Sequence, residues 1–439
     1  MRRWARDGYV IVALFSLWNG DGMRDLLSWW GFGAVSLLLL AGAIVLIVHE
    51  RQRAKALLLS RRAVPILAFM AVCVASLAWS HYPVLTLVGC FIQTATATIA
   101  VGICLALPPV RLAALFAIML QADMVISLLF EVGVALSPGG RILPLWTNYS
   151  ANVPGAYYWS NGLLFHGGRI QGFTANANLL CFQALLAALV TACLAQARFV
   201  RRRLLLPALA LDLLVIVLTR SATVVIAGGV VVAGALLIWG LRTFGRRGRG
   251  VVLGGSLLFV ALVALGSSRL AEPFLRLLGK GDDFTGRLEI WRLVGTLVKQ
   301  KPILGWGWIS YWAPWIDPYK QFVIRDGVQY LQAHNAYLDI QMQLGIPGLI
   351  ALVAVVGSVV YRALRLAVTA RPLAVLPLLL LAALLTQAMA ESRLLIEGNW
   401  ALLVALSVAL PLSLPPVPRR KPGHPVPLQQ GTAVAGTTP

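Results

Sequence analysis

His334 stands where a long polar stretch gives way to the apolar run Ala336-Tyr337-Leu338, and Asn335 follows it directly. A neutral imidazole takes up a proton near pH 7, which few side chains do unperturbed. A histidine in this place is a candidate general base; the alternative is a satisfied histidine at a water–apolar boundary. Three arginines are its candidate partners. Arg220 lies in Leu218-Thr219-Arg220-Ser221, between two apolar runs with almost no connection, and a charge there is costly unless it is paired or solvated in a cavity. Arg287 opens a helical segment, whose exposed N–H groups also favour anions. Arg169 precedes Gly172-Phe173-Thr174-Ala175-Asn176-Ala177-Asn178 at the start of another apolar run. Any one of them could be a lipid-headgroup anchor. Converging near one histidine, the three would suit a pyrophosphate, each charge-assisted hydrogen bond contributing about 1.5–3 kcal/mol.

Other titratable groups are less telling. Asp282-Asp283 could hold a divalent metal or form a capping turn. Asp123, Glu131, Asp212 and Asp339 fall in or near apolar runs and need partners there. Asp339 is five residues past His334, too far round a helix to be its obvious orienter. His81, His166 and Glu391 are further candidates to support the site, in no order. The five cysteines (Cys73, Cys90, Cys104, Cys181 and Cys193) all sit inside apolar runs, with no metal-type spacing or readable disulfide framework. Neither a metal nor a cofactor is expected.

The elements that must position these residues are membrane spans. Of 439 residues 59% are hydrophobic and 12% charged, with a mean hydropathy of +0.81, whereas a soluble domain carries about 25% charge. Apolar windows suggest about twelve spans, near 8–20, 26–49, 63–80, 84–107, 110–136, 173–196, 204–219, 221–241, 250–267, 336–361, 373–390 and 398–414. With a cytoplasmic N-terminus, the inner connections hold Arg51, Arg53, Lys55, Arg61 and Arg62, then Arg198 with Arg201–Arg203, Arg242 with Arg246, Arg247 and Arg249, and Arg362, Arg365 and Arg371. This is the positive-inside pattern. The net charge of +21 is therefore an orientation signal, not a nucleic-acid footprint. No cleavage site follows the N-terminal basic residues, so the first span is not read as a signal peptide.

The outer side then receives the loop 137–172, the Arg220 turn, a large interval at 268–335 and the short loop with Glu391, Arg393 and Glu397. In domain terms, 1–267 holds nine spans, 268–335 is the large outer loop, 336–414 holds three spans, and 415–439 is a disordered cytoplasmic tail rich in Pro, Gly and Thr. Within the large loop, Leu288, Trp291, Val294 and Val298 recur at helical spacing and predict a helix over 287–299, capped by Thr285 or Asp283 and stopped by Pro302. The aromatic run Trp306, Trp308, Tyr311, Trp312 and Trp315 is either an interfacial belt or a set of faces for sugar rings. No paired halves of the kind a transporter shows are visible.

His334-Asn335, nine residues, then Gly345, resembles the signature of the O-antigen ligase and polymerase superfamily. Gly286-Arg287-Leu288-Glu289-Ile290-Trp291 and Pro302-Ile303-Leu304-Gly305-Trp306-Gly307 resemble its large periplasmic loop, and the stretch from Arg169 to Asn178 and the Arg220 turn resemble two further segments. The family's usual Ser-Arg order appears here as Arg220-Ser221. The resemblance implies an all-α polytopic inner-membrane protein of the GT-C glycosyltransferase type with a periplasmic active site. It implies transfer of a polysaccharide from undecaprenyl pyrophosphate to lipid A–core, without metal and with inversion. The matching essential set is His334, Arg220 and Arg287, with Arg169, Asn335, Trp291 and Asn178 as substrate-binding candidates. A polymerase, a protein O-oligosaccharyltransferase and, from another class, a lipid-linked sugar transporter are the alternatives.

Overall fold

The computed structural model describes residues 3–147, 153–245, 248–251, 254–255, 281–320, 322–325, 327–369 and 373–410. The expected span at 250–267 lies mostly outside these residues, as do the interval 268–280 and the tail from 415. Most of the described residues are helical. Helices α1 (Arg3–Trp18), α2 (Gly20–His49), α3 (Arg51–Leu58), α4 (Val64–Ala75), α5 (Pro83–Ala106) and α6 (Pro109–Leu136) precede an irregular loop. After it come α7 (Ala177–Gln196), α8 (Arg202–Thr219), α9 (Ala222–Thr243) and α10 (Gly281–Gln300). A two-stranded antiparallel ribbon, β1 (Ile324–Arg325) and β2 (Val328–Gln329), separates α10 from α11 (Ala336–Ala367), α12 (Leu376–Ala388) and α13 (Glu397–Ala409).

Six of these helices, α2, α5, α6, α7, α9 and α11, are long and apolar enough to cross a membrane. This is a membrane protein, and each expected span within the described residues coincides with a helix. α3, inside the inner connection after α2, was not foreseen; it buries Ala54 and Leu57 and exposes its basic residues. α7 packs between α6 and α8, α11 against α4 and α10, α12 against α9, and α13 against α5. One apolar core runs through the bundle from Val10 to Leu410.

The connections expected on the outer side are bonded to one another. The Leu145 amide donates to the Asp25 carbonyl, Ile170 to Leu218, His81 to Trp306, and the Trp79 indole to Leu304. At the opposite end Arg242 reaches the Ala367 carbonyl, and Arg362 reaches Ser407 and Leu410. Three of the four acids expected in or near spans find hydrogen-bond partners, and both carboxylate oxygens of Asp123 are buried without one among the described residues. Glu131 accepts from Ser160, Gln171 and Gly172 and so holds the outer loop. Asp212 accepts from Gln121, Asp339 from Trp312 and Gln343, and Asp123 is buried beside Asn19.

Two readings of the large loop need correction. Its helix begins at Gly281, so Asp283 and Thr285 lie inside α10 and not at its cap. Its buried face is Ile290, Val294 and Leu297, while Leu288 is exposed, because the register is set by packing against Trp312, Tyr319 and Tyr82. The aromatic run is accordingly neither mainly a belt nor mainly a sugar platform. Trp308 and Trp312 are core residues, and Trp312 stacks on Tyr319 at 5.1 Å; Trp315 alone in the run is largely exposed.

Gly345 explains a long spacing in the sequence. α11 breaks there, at φ 60° and ψ −150°. Ile346 then donates to the Ile303 carbonyl, while Trp306 and Gly307 donate to Met342 and Gln343. A Cβ on Gly345 would lie 2.0 Å from the Ile303 oxygen. The missing side chain lets the 303–307 segment lie on the backbone of α11, which fixes the loop domain over the start of the helix that His334 precedes.

Candidate active site

Glu391 lies in the turn between α12 and a short 3-10 segment at Ser392–Leu395, and it is 2% exposed. Its Oε2 is 3.1 Å from Nδ1 of His334 and accepts from Gln332 at 3.4 Å. Its Oε1 is 3.3 Å from Nη2 of Arg287 and accepts from Nδ2 of Asn178 at 3.0 Å. Four donors from three distant segments thus fill the positions a carboxylate offers. Burial alone raises its pKa, but His334, Arg287 and Arg393 more than offset this and hold it at about 2. The carboxylate is ionised and can only accept. Nδ1 of His334 must therefore carry the hydrogen in their bond, which in the neutral tautomer leaves Nε2 as the acceptor.

The remaining predicted residues extend from this centre. Arg169 donates through Nε to the Thr219 carbonyl at 2.9 Å and through Nη2 to Oδ1 of Asn178 at 2.7 Å. The Ser221 hydroxyl donates to the same Oδ1 at 3.0 Å. Asn178 thereby links Arg169 to Glu391. Arg220, between Thr219 and Ser221, is exposed and makes no ion pair among the described residues. Trp291 lies one turn beyond Arg287 on α10 and is partly buried. Asn335 caps α11: its Oδ1 accepts from the amides of Tyr337 and Leu338. Asn176 does the same for α7, with Asn178 and Leu179. His334, Arg287, Arg169 and Asn178 are brought together, and Arg220 is tied to them through its neighbours Thr219 and Ser221.

Four of the eight non-glycine residues with positive φ among the described residues lie here. His334 (φ 49°), Arg220 (φ 48°), Ala175 (φ 58°) and Glu397 (φ 50°) are all left-handed. Each costs on the order of 1–2 kcal/mol, and such residues persist where surrounding structure over-determines them. That structure includes a second charged cluster. Arg24 and Arg393 each bond both Asp21 and Glu397. Burial opposes the Arg393 charge, but Asp21 and Glu397 hold its pKa above the ordinary arginine value. The turn carrying Glu391 is therefore clamped to the N-terminus of α2.

Glu391 had no rank among the candidates. Its signal was weak: an acid in a short outer turn, far in sequence from every basic group it meets. Gln332, two residues before His334, and Ser221 were missed. His166 is exposed on the 164–166 turn. His81 pairs with Lys301 at 2.8 Å at the far end of α10; neither histidine meets Glu391. The Asp282 and Asp283 side chains lie outside the described residues.

The helical bundle thus gathers an imidazole, an ionised carboxylate and arginines at one end. A family model described as O-antigen ligase matches residues 205–353. The match supports membership in the O-antigen ligase superfamily, and with it a glycosyltransferase-like, ligase- or polymerase-type role in O-antigen processing. The matched stretch contains Arg220, Arg287, Trp291, His334 and Asn335, while Arg169, Asn178 and Glu391 lie outside it. The search of curated proteins returned no match.

Proposed function

We propose that this protein transfers a polysaccharide from undecaprenyl pyrophosphate to a sugar hydroxyl of lipid A–core at the periplasmic face of the inner membrane, on a GT-C-type scaffold. The bond between His334 and Glu391, with Arg287 on the same carboxylate, carries the reading. The acceptor hydroxyl is a weak nucleophile and needs a base; Nε2 of His334 removes its proton as the oxygen attacks the anomeric carbon. The bond from that carbon to the pyrophosphate oxygen breaks, and the electron pair leaves with the pyrophosphate. That leaving group needs charge stabilisation more than protonation, which Arg287 and Arg220 supply. Attack opposite the leaving group inverts the anomeric centre. No step requires a metal.

His334→Ala should remove transfer, with a loss of about 10²–10⁴-fold, while the variant still folds. Purified donor with and without lipid A–core separates the readings. A ligase requires lipid A–core, a polymerase lengthens the donor without it, and a transporter forms no bond. Undiminished transfer by the alanine variant would remove the mechanism.

A further inference from the structure

We propose that Arg169, with Asn178 and Ser221, is a positioning device that presents the Arg220 cation to the pyrophosphate, and is not itself a substrate contact; this rests on the function proposed above. Arg220 has an unusual setting. It follows the last residue of α8 in a left-handed conformation (φ 48°, ψ 47°), which a bulky side chain disfavours. Its neighbours Thr219 and Ser221 are 0% and 1% exposed, whereas Arg220 is exposed.

The turn is held from both sides. The Thr219 carbonyl, at the end of α8, accepts from Nε of Arg169, and a cation at a helix C-terminus is favoured. Ser221 on the other side donates to Oδ1 of Asn178, which also accepts from Nη2 of Arg169. One more tether, the Ile170 amide on the Leu218 carbonyl, joins the same two segments. Nδ2 of Asn178 completes the frame on Glu391. The spacing between the Arg220 turn and the His334–Arg287 pair is thus set by a chain of side-chain bonds through Asn178. Two donors in a planar fork are needed to reach Thr219 and Asn178 together. A guanidinium provides them, whereas the single nitrogen of lysine does not supply that rigid fork.

The test is a double-mutant cycle on purified protein with purified donor and acceptor. Arg169→Lys should lower kcat about ten-fold or more with a smaller change in donor KM. In an Arg220→Ala background the same substitution should cost little further, because its effect passes through Arg220. Ser221→Ala removes one tether only and should show a smaller loss that is likewise absorbed by Arg220→Ala; it serves if Arg169→Lys fails to fold. Losses that multiply across the cycle, or an Arg169→Lys variant as active as the parent, overturn the inference and leave the proposed function standing. Full activity of Arg220→Ala would sink the role given to Arg220 and the inference with it.

Discussion

Nδ1 of His334 and Oε2 of Glu391 are 3.1 Å apart although 57 residues separate them in the chain. The bond assigns the tautomer of the imidazole and fixes the plane of the ring. Glu391 also receives Asn178 from α7, Arg287 from α10 and Gln332 from the segment before α11, so one carboxylate sets the relative positions of the imidazole, an arginine and two amides.

Replacing Glu391 by Gln keeps the shape and removes the charge. The amide can no longer demand a hydrogen on Nδ1, and Arg287 loses its counter-ion. Transfer should fall by about 10²–10⁴-fold, mainly in kcat, as measured on purified donor and acceptor. A variant within two-fold of the parent would show that the contact does not organise the base.

The same carboxylate makes stability depend on pH. Its pKa is held at about 2 in the folded protein, against an ordinary 4.5. The stabilisation is fully present above about pH 4.5 and is lost as pH falls toward 2; by linkage it is worth roughly 3 kcal/mol. Melting temperature in detergent should be flat from neutral pH to about 5 and drop below that, and Glu391→Gln should lack this part of the drop.

Arg393 ties the Glu391 turn to α2 through Asp21 and Glu397. Arg393→Met leaves two largely buried acids with Arg24 alone. A loss of about 3–5 kcal/mol is expected, as when one member of a buried ion network is removed. Denaturation curves read it directly, and Arg393→Lys should recover part of the loss. No change in stability would show the cluster to be a solvated surface group.

Two glycines of α11 offer a contrast. Gly345→Ala places a methyl 2.0 Å from the Ile303 oxygen at a left-handed φ, so folded yield and transfer should both collapse. Gly357 has nothing within 4 Å of its would-be Cβ. Gly357→Ala should leave stability unchanged or raise it by about 0.5–1 kcal/mol. Equal effects of the two would refute the docking role of Gly345.

Hydropathy and arginine placement were enough to find the apolar helices among the described residues, because lipid demands long apolar segments and basic residues mark one side. They also placed His334, Arg169 and Arg287 on one face. What they left dark was pairing across the bundle. Glu391 meets its partners only after α7, α10 and α11 have packed, and nothing local in Ala390-Glu391-Ser392 records this. The register of α10 was misread for a related reason. Leu288 and Ile290 are equally apolar on paper, and only the tyrosine–tryptophan core beneath the helix selects Ile290. Gly345 was visible as a spacing, but its cause is a backbone contact with Ile303, more than forty residues earlier.

The makeup of the Glu391 cluster bears on the whole catalytic cycle. If the exposed Arg220 side chain is counted with Arg169 and Arg287 against Glu391, beside an Asp21–Arg24–Arg393–Glu397 set that is neutral in itself, a formal excess of two positive charges remains when the imidazole is uncharged. The pyrophosphate diester proposed as donor is doubly anionic and would make the loaded site electroneutral. In the proposed reaction the departing diphosphate gains one negative charge just as the imidazole gains one positive charge. On that reading neutrality is kept from reactants to products, and turnover needs no counter-ion to enter or leave the site.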